Sequence, residues 1–490
     1  MKLQSFFLRE QKRYSQAELF KIFDLSEIKT VKILRKLKEY GVLKTVKNGG
    51  IQKNLTNLVE DDVEIVDVEV GENEYLYVFT YVGVITINSV VIKIYPKYIL
   101  STDTPTLELK QVIKVLEKYN SKEQIIRMYN ETNDSSTFNL LAVILFLLKD
   151  YFEYGPYTNT EDIIETNGLG DILWDRTIND TFTIISKNRP YYPELQTRKR
   201  INNDFDYFKR LHEAVLTRCS RELEQSQLMD LFDIEGVNLS DEPLSDFGET
   251  EFILEQINKE LAIQFNTRKQ LLLKTLYAYV LNDGALADID SLSMFGTNSF
   301  NLVWEKVCAE VLNNQLQSPL GILDLPVKLD DSYDKNKSLI SIIEKPNWLD
   351  KKSDGTVFNR KAVKTLIPDI ISISKFDDDY QITILDAKYY NLRFTSEMLE
   401  GQPGIESITK QYLYQLCYKE FANTHQITKI KNCFLYPTEN ERIIEKGFVE
   451  MKILGELGLE KIQNRMLPAQ KMYSLYLQNK KLSVKQLNLI

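Results

Sequence analysis

Cysteine and histidine are scarce in this sequence. Its 490 residues include two histidines, His212 and His425, and four cysteines. The cysteines are Cys219, Cys308, Cys417 and Cys433. No two of them are close enough for a CxxC pair, so their spacing argues against a structural zinc site and a disulfide scaffold. We expect four buried, reduced thiols.

Long apolar runs are also missing. No stretch approaches the ~18 apolar residues that a membrane span needs, and the first twenty residues contain no uninterrupted apolar core of a signal peptide. We therefore expect a soluble, cytoplasmic protein without a membrane partner. The GxxxxGK[ST] phosphate loop is absent too, so GTP is not expected to bind to this chain.

The charge balance is acidic, with 61 Lys and Arg against 70 Asp and Glu and a net charge of -9. This counts against a protein that coats nucleic acid, although an enzyme that contacts DNA only at a cleft can be acidic overall. Hydrophobic residues make up 43% of the chain, enough for two or three domain cores. Acidic residues concentrate in 230–260, and basic residues in 1–50 and 198–210.

The first 55 residues predict a winged helix-turn-helix. Ser15 and Glu18 form a capping-box pattern, and a second helix carries an apolar face and ends at Gly41. The predicted apolar face consists of Ile28, Val31, Leu34, Leu37 and Tyr40. The candidate DNA-contacting residues on this helix are Lys29, Lys32, Arg35 and Lys36. A protein-docking winged helix with a solvated basic face remains an equal alternative.

The rest of the chain alternates between strand and helix patterns, which predicts an α+β multidomain protein. We expect a β-rich region over 56–225 that includes an exposed basic loop around Arg198 and Arg200. An acidic linker or surface loop and one long helix, Glu251 to Asn282, should occupy 226–285. The final domain should span 286–490.

The most informative segment is a predicted hairpin that runs from Thr365 to Lys388. Alternation places Ile382, Ile384, Asp386 and Lys388 on one side of the second strand, and antiparallel pairing brings Asp369 near Asp386. Two carboxylates can hold Mg²⁺, and a lysine ammonium can orient water and stabilise negative charge. This combination indicates phosphodiester hydrolysis.

The acid-x-Lys triplet alone is weak support for a nuclease site, because it also occurs elsewhere in the chain, for example at Glu108-Leu109-Lys110. The information lies in the context, Pro-Asp on one strand and acid-x-Lys at the end of an apolar one. The alternative is an ordinary surface hairpin with two acids and a lysine.

Two flanking helices add candidates. Glu305, beside Trp304, is the candidate third metal ligand, with Glu310 in reserve, although a solvated helix carboxylate is an open alternative. Gln411 and Gln415 share one face of a later helix, and Gln415 is the candidate for orienting water or phosphate. A structural role at the sheet edge remains open for both. The order helix, strand, hairpin strand, helix, strand is that of a PD-(D/E)xK (restriction endonuclease-like) α/β core.

Longer motifs make the sequence resemble the LlaJI family of restriction endonuclease subunits, itself similar to McrC. These motifs are Tyr81-Val-Gly-Val-Ile85, Ile94-Tyr-Pro-Lys97, 170–177, Glu194 to Arg200, Asp206 to His212, Val303-Trp-Glu305, Pro368-Asp369, Asp386-Ala-Lys388 and Tyr414-Gln-Leu416. The resemblance implies a subunit that cuts double-stranded DNA and docks, through residues within 56–225, on a separate McrB-like AAA+ GTPase. GTP would bind to that partner.

Three hypotheses follow. The chain is the Mg²⁺-dependent nuclease subunit of a bacterial restriction system that works with a GTPase, a stand-alone type II restriction enzyme, or a non-catalytic winged-helix DNA-binding adaptor. The intact pair of acids and the lysine favour the first two over the third.

Overall fold

The computed structural model describes residues 4–47, 75–87, 90–120, 139–202, 205–282, 292–376 and 379–489. Alternation at Val66, Val68 and Val70 predicts a strand, and these residues lie outside the described ranges. The chain forms two compact units that interleave in sequence. One comprises residues 1–4, 86–91 and 137–294, and the other 5–85, 92–136 and 295–490. None of the described helices is both long and apolar enough to cross a bilayer.

The N-terminal elements alternate short strands with helices. They are β1 (Gln4–Arg9), β2 (Arg13–Tyr14), α1 (Gln16–Phe23), α2 (Glu27–Glu39), β3 (Leu43–Lys47), β4 (Tyr75–Phe79), β5 (Val82–Ile87), β6 (Val90–Tyr95), α3 (Thr106–Asn120) and α4 (Leu140–Tyr154). The predicted capping box is present, since the Glu18 amide donates to the Ser15 hydroxyl and the Ser15 amide to the Glu18 carboxylate. Strands β2, β4 and β3 pair in that order beside α1 and α2.

The predicted apolar face of α2 is partly wrong. Ile28 is 84% exposed, whereas Ile33, which the prediction omitted, is buried together with Leu34 and Leu37. The buried side of this helix therefore includes Ile33 and leaves its first turn in solvent. Helical periodicity alone does not determine which side of a short helix packs against its neighbours.

A four-stranded sheet has the order β1, β6, β5, β12, where β12 is Leu292–Thr297. Gly83 in β5 has φ +146°, and a Cβ atom there would lie 2.1 Å from the carbonyl oxygen of Phe295 in β12. Only glycine permits this approach of two backbones. The Tyr81-to-Ile85 motif thus contains a packing requirement.

The middle of the chain contains β7 (Thr160–Thr166), β8 (Asp171–Ile172), α5 (Trp174–Asp180), β9 (Ile184–Ser186), β10 (Arg189–Tyr191), β11 (Gln196–Asn202), α6 (Tyr207–Gln225), α7 (Met229–Phe232), α8 (Thr250–Ile263) and α9 (Thr267–Leu281). Two predictions were wrong here. Arg198 and Arg200 lie on strand β11 instead of a loop, and the single long helix is two helices. Residues 170–177, whose pattern predicts a turn and a strand, contain the two-residue strand β8 and then the start of α5.

The acidic stretch after α7 is a surface segment that packs on α6. The amide of Val237 donates to the Ser220 hydroxyl at 2.9 Å, and the amide of Leu239 donates to the Thr217 hydroxyl at 2.9 Å. Arg210 pairs with Glu242. These contacts hold the segment on the helix instead of leaving it as a free linker.

The C-terminal part contains α10 (Phe300–Val311), β13 (Asn347–Lys351), β14 (Val357–Lys361), β15 (Ile370–Phe376), β16 (Asp379–Ala387), β17 (Arg393–Phe394), β18 (Leu399–Glu400), α11 (Ile405–Thr424), β19 (Lys429–Thr438), β20 (Ile444–Val449), α12 (Lys452–Gly455), β21 (Ile462–Pro468) and α13 (Ala469–Leu477). Five strands form one mixed sheet of order β15, β16, β19, β21, β20. The sequence predicts a strand over Phe448 to Leu454. In the structure the strand β20 begins earlier and ends at Val449, and α12 begins at Lys452.

The sheet is mixed because its connections differ. Strands β15 and β16 are antiparallel and consecutive in sequence, whereas β16, β19 and β21 run parallel. Helix α11 provides the crossover from β16 to β19, as parallel pairing requires. Its side chains Tyr414, Tyr418 and Phe421 pack with Ile371, Ile373, Ile382 and Ile384 in one core cluster.

Candidate functional site

The hairpin expected from the sequence is present, and it brings Asp369 and Asp386 to the same end. Ile370 pairs with Leu385 in the antiparallel register, so Asp369, one residue earlier, lies beside Asp386. The backbone amide of Ala387 donates to Asp369 Oδ2 at 2.9 Å. This bond fixes the Asp369 carboxylate against the end of the neighbouring strand.

Lys388 follows the last residue of β16 and turns back towards Asp386. Its Nζ lies 3.0 Å from Asp386 Oδ2, and the two side chains are 20% and 9% exposed. The amide of Lys388 donates to the carbonyl of Leu435 at 2.8 Å, which continues the sheet for one residue. The lysine and both acids thus converge at a sheet end that retains some access to solvent.

Asp386 is close enough to Asp369 to shift the pKa of the Asp369 carboxyl. Burial, the neighbouring charge of Asp386 with its hydrogen bond, and the charge of Glu305 raise the pKa of Asp369 to about 9, against the amide of Ala387. Burial opposes the charged form of Lys388, but Asp386 and Asp369 outweigh it, so the pKa of Lys388 is raised. Metal-free protein at neutral pH therefore holds a proton on Asp369 and a positive charge on Lys388.

Glu305 and Glu310 lie on the same helix but in different surroundings. Trp304 is fully buried, and the half-buried Glu305 next to it is near enough to raise the pKa values of Asp369 and of Cys308. The Glu310 carboxylate instead pairs with Lys306 at 3.2 Å. The charge of Glu305 thus acts on Asp369, whereas Glu310 forms an ion pair with Lys306 on the helix.

The donor chemistry of this site fits a hard cation. Two oxygen-bearing carboxylates in mutual contact repel each other unless a proton or a cation lies between them. Within the described ranges, no three His, Cys, Asp or Glu side chains gather closely enough to form a metal-binding group. Asp369 and Asp386 are therefore the two first candidates to hold a divalent ion, with Glu305 further out.

The two glutamines of α11 have structural contacts. Gln415 Oε1 accepts from Asn432 Nδ2 at 2.8 Å and from the amide of Glu460 at 3.1 Å. Gln411 Nε2 donates to the carbonyl of Ile384 at 3.0 Å, while its buried Oε1 has no partner among the described residues. The oxygen of Gln415 thus accepts hydrogen bonds from two protein donors, and its role in orienting water or phosphate stays a prediction.

Tyr414 is a site residue that sequence reasoning missed. Its pKa is raised by burial and by the charges of Asp386 and Asp369, and its hydroxyl donates to the carbonyl of Ile367 at 2.9 Å. That bond fixes the segment that leads into Pro368 and Asp369. The Tyr414-Gln415-Leu416 motif contains this tyrosine, but the sequence prediction assigned a role only to the glutamine.

A second group that the sequence prediction missed holds Tyr389, the residue after Lys388. Tyr389 donates through its hydroxyl to Glu10, and the amide of Lys97 donates to the same carboxylate at 3.1 Å. The ammonium of Lys97 lies 4.6 Å from the centre of the Tyr389 ring. Lys97 closes the Ile94-to-Lys97 motif, so this motif could have indicated the contact, whereas Glu10 belonged to no motif.

The other predicted residues lie elsewhere. Lys29, Lys32 and Arg35 are exposed on α2, and Lys36 is half-buried there. Their role in DNA binding stays a prediction. The four cysteines are free, with Cys417 only half-buried, and neither histidine joins them. His212 is buried against the amide of Tyr157, and burial followed by the charge of Arg268 lowers its pKa to about 3.

Comparison with known proteins supplies the family. Residues 81–462 match the family model described as LlaJI restriction endonuclease. A curated relative from Bacillus subtilis (strain 168), the type II restriction enzyme BsuMI component YdjA, is 28% identical over 416 residues, which cover 84% of this chain and 83% of the relative.

Two solved structures from Thermococcus gammatolerans are similar in part. One is a half-complex from a tetradecameric assembly of McrB AAA+ hexamers with bound McrC, with a TM-score of 0.38, 12% identity and coverage of 97% of this chain and 100% of that one. The other is the McrBC complex, with a TM-score of 0.25, 14% identity and coverage of 62% and 85%. Since the family match extends over most of its length, the chain belongs to the LlaJI restriction endonuclease family.

Proposed function

We propose that the chain is the Mg²⁺-dependent DNA endonuclease subunit of a bacterial restriction system, with Asp369, Asp386 and Lys388 at its cutting centre. The carrying observation is the meeting of the two aspartates and the lysine at the end of β15 and β16, where the pKa of Asp369 is raised to about 9. An acid with a strongly perturbed pKa beside a charged partner, at a strand end with some access to solvent, is typical of catalytic sites.

The strand order around this site supports a PD-(D/E)xK core. A helix (α10), a hairpin (β15 and β16), a crossover helix (α11) and a parallel strand (β19) follow one another in the sequence order expected for it. Asp369 and Asp386 occupy the two acid positions and Lys388 the lysine position. Glu305, on the preceding helix, is the proposed third acid.

The residues would divide the work as follows. Asp369 and Asp386 would hold the cation through carboxylate oxygens, with the Ala387 amide fixing the direction of Asp369. A bound Mg²⁺ supplies charge neutralisation at the phosphate and a more acidic water. Lys388, whose pKa is raised, stays protonated at neutral pH, so it acts as a hydrogen-bond donor to water or phosphate oxygen instead of as a base.

A McrB-like AAA+ GTPase is the proposed partner. The sequence resemblance to McrC-like subunits supports it, as does the name of the curated relative, which describes that protein as one component of a restriction enzyme. GTP would then bind to the partner. We propose further that α1, α2 and strands β2, β4 and β3 act as a winged helix, with the exposed Lys29, Lys32 and Arg35 towards DNA.

The experiment compares plasmid cleavage by the wild type with that by Asp386→Asn and Lys388→Ala, each with the proposed McrB-like GTPase partner, GTP and Mg²⁺. We expect both variants to lose at least about 100-fold in rate, as removal of electrostatic stabilisation of a transition state typically does. Asp379→Asn is the matched control, because Asp379 begins the same strand and is 52% exposed in a surface pair with Lys429.

Each outcome discriminates between the hypotheses. Mg²⁺-dependent cleavage that survives in both site variants would remove the proposed centre. Site-specific cutting by the chain without GTPase or GTP would favour a stand-alone type II enzyme. DNA binding without cleavage under every metal, nucleotide and partner condition would favour a non-catalytic adaptor.

A further inference from the structure

A two-stranded ribbon projects from the chain directly before the cutting centre. Among the described strands, β13 and β14 pair only with each other, from Asn347 opposite Lys361 to Lys351 opposite Val357. Every residue from 344 to 361 is exposed, so neither face of the ribbon packs against a core. We call residues 345–364 the basic ribbon.

The composition of the basic ribbon is unusual for this acidic chain. It contains six basic residues and two acidic ones, a net charge of +4 in a chain whose net charge is -9. The basic residues are Lys345, Lys351, Lys352, Arg360, Lys361 and Lys364. Among the described residues, none of the six is paired with an acid. The six cations are therefore available to an anionic partner.

Apolar side chains accompany these cations. Trp348 is 73% exposed and Leu349 66% exposed. The strand register places Trp348 opposite Arg360 on one face, with Phe358 on the same face. An isolated hairpin is only marginally stable in water, and exposed aromatic side chains among cations are typical of a binding surface.

The two ends of the basic ribbon are bonded to each other a few residues before Asp369. The amide of Ala362 donates to the carbonyl of Pro346 at 2.8 Å, and the hydroxyl of Thr365 donates to the carbonyl of Glu344 at 2.6 Å. Beyond these bonds, Ile367 is fixed by Tyr414, and Asp369 follows two residues later. A duplex whose phosphate reaches Asp369 would therefore pass beside the ribbon.

We propose that the basic ribbon binds double-stranded DNA next to the phosphate that is cut, an inference that rests on the proposed nuclease function. A two-stranded ribbon fits the major groove of B-DNA, which is about 12 Å wide. The lysines and Arg360 meet backbone phosphates, and Trp348 and Phe358 provide apolar contact. Repulsion by the net negative charge of the chain favours DNA contact at basic surfaces such as this one.

The test measures binding of a fluorescent duplex to the full-length chain in EDTA, so that no cutting occurs. The variant Lys351→Ala/Arg360→Ala/Lys361→Ala should bind at least about tenfold more weakly at ~100 mM salt, with a log–log salt slope shallower by about two to three. The control Lys328→Ala/Lys335→Ala/Lys337→Ala removes three charges from another exposed loop and should bind as the wild type does.

Trp348 provides a second readout. It is one of three tryptophans, and Trp304 is buried. DNA should change the tryptophan emission of the wild type, and Trp348→Phe, an exposed substitution that leaves folding intact, should abolish that change. An emission change that persists in Trp348→Phe would place the DNA elsewhere.

The outcomes separate this proposal from the nuclease proposal. Unchanged affinity in the ribbon variant, an equal loss in the control, or no duplex binding by the wild type at ~50 mM salt would overturn the ribbon. A ribbon variant that loses a protein partner but keeps its DNA affinity would also overturn it. If the ribbon variant loses DNA while the wild type with its partner never cuts, the ribbon proposal holds and the nuclease proposal fails.

Discussion

The hydroxyl of Tyr389 donates a hydrogen bond to Glu10 at 2.5 Å, across 379 positions of the chain. Glu10 is 5% exposed and follows strand β1, whereas Tyr389 follows Lys388. The residue next to the lysine of the site is thus held by the beginning of the chain. The contact between Glu10 and Tyr389 would therefore support the proposed cutting centre.

Tyr389→Phe should destabilise the protein and disturb Lys388. The substitution leaves a buried carboxylate without one of its donors, which costs about 1–3 kcal/mol. Denaturant unfolding should show this loss, and cleavage per folded molecule should fall with little change in KM. Tyr380→Phe is the control, since its hydroxyl contacts Asp324 at the surface. Equal stability of the two variants would contradict the supporting role of Glu10.

Asp369 should make the metal-free protein less stable as pH rises. Its folded pKa of about 9 lies above the usual value of 3.8, so its folded form prefers the proton. Stability from this group is complete below about pH 4 and is lost as pH rises towards 9, by about 1.4 kcal/mol for each pH unit over which Asp369 titrates alone. Asp369→Asn should remove this loss.

The measurement is thermal unfolding in EDTA between pH 5 and pH 9. The gain of Asp369→Asn over the wild type should grow with pH, and Mg²⁺ should stabilise the wild type more than the variant. A gain that is independent of pH would show that Asp369 does not titrate in this range.

Glu305 and Glu310 form a matched pair on one helix. Glu305→Gln removes a negative charge that raises the pKa of Asp369, so it should lower that pKa and reduce cleavage at limiting Mg²⁺. Glu310→Gln breaks only the surface pair with Lys306, which is worth about 0.3–0.5 kcal/mol. Mg²⁺ titrations of the cleavage rate distinguish them, and equal curves would exclude Glu305 as a metal ligand.

Gln415→Ala should act on stability more than on chemistry. It removes the acceptor for Asn432 and for the amide of Glu460, and each buried group left without a partner costs about 1–3 kcal/mol. Unfolding should report the loss, while cleavage per folded molecule stays near that of the wild type. A large fall in rate with unchanged stability would instead support the catalytic role predicted from the sequence.

Gly83→Ala should prevent correct packing of β5 against β12. The added Cβ would lie 2.1 Å from the carbonyl oxygen of Phe295, and overpacking of this kind costs about 1–3 kcal/mol or more. Gly404→Ala is the control, because nothing lies within 4 Å of a Cβ there. Denaturation midpoints measure both, and similar midpoints would show that the two strands can separate without cost.

Local rules predicted the parts of this protein that depend on neighbours in sequence. Alternation and a charged turn predicted the hairpin that joins Asp369 to Asp386, and residue spacing predicted the Ser15 capping box and helix α10. Motif likeness indicated the family that the comparison then showed. These features follow from periodicity, turn chemistry and backbone hydrogen bonding within short segments.

Long-range packing decided the rest. Helical periodicity did not show which carboxylate, that of Glu305 or that of Glu310, lies near Asp369. It also did not show which amide, that of Gln411 or that of Gln415, contacts Asn432. Only the folded chain determines these contacts. The approach of Glu10 to Tyr389 also required two distant segments to pack together. The sequence by itself determined which chemical groups the site contains, and the tertiary structure decided their surroundings, since burial and neighbouring charge depend on contacts that no local pattern encodes.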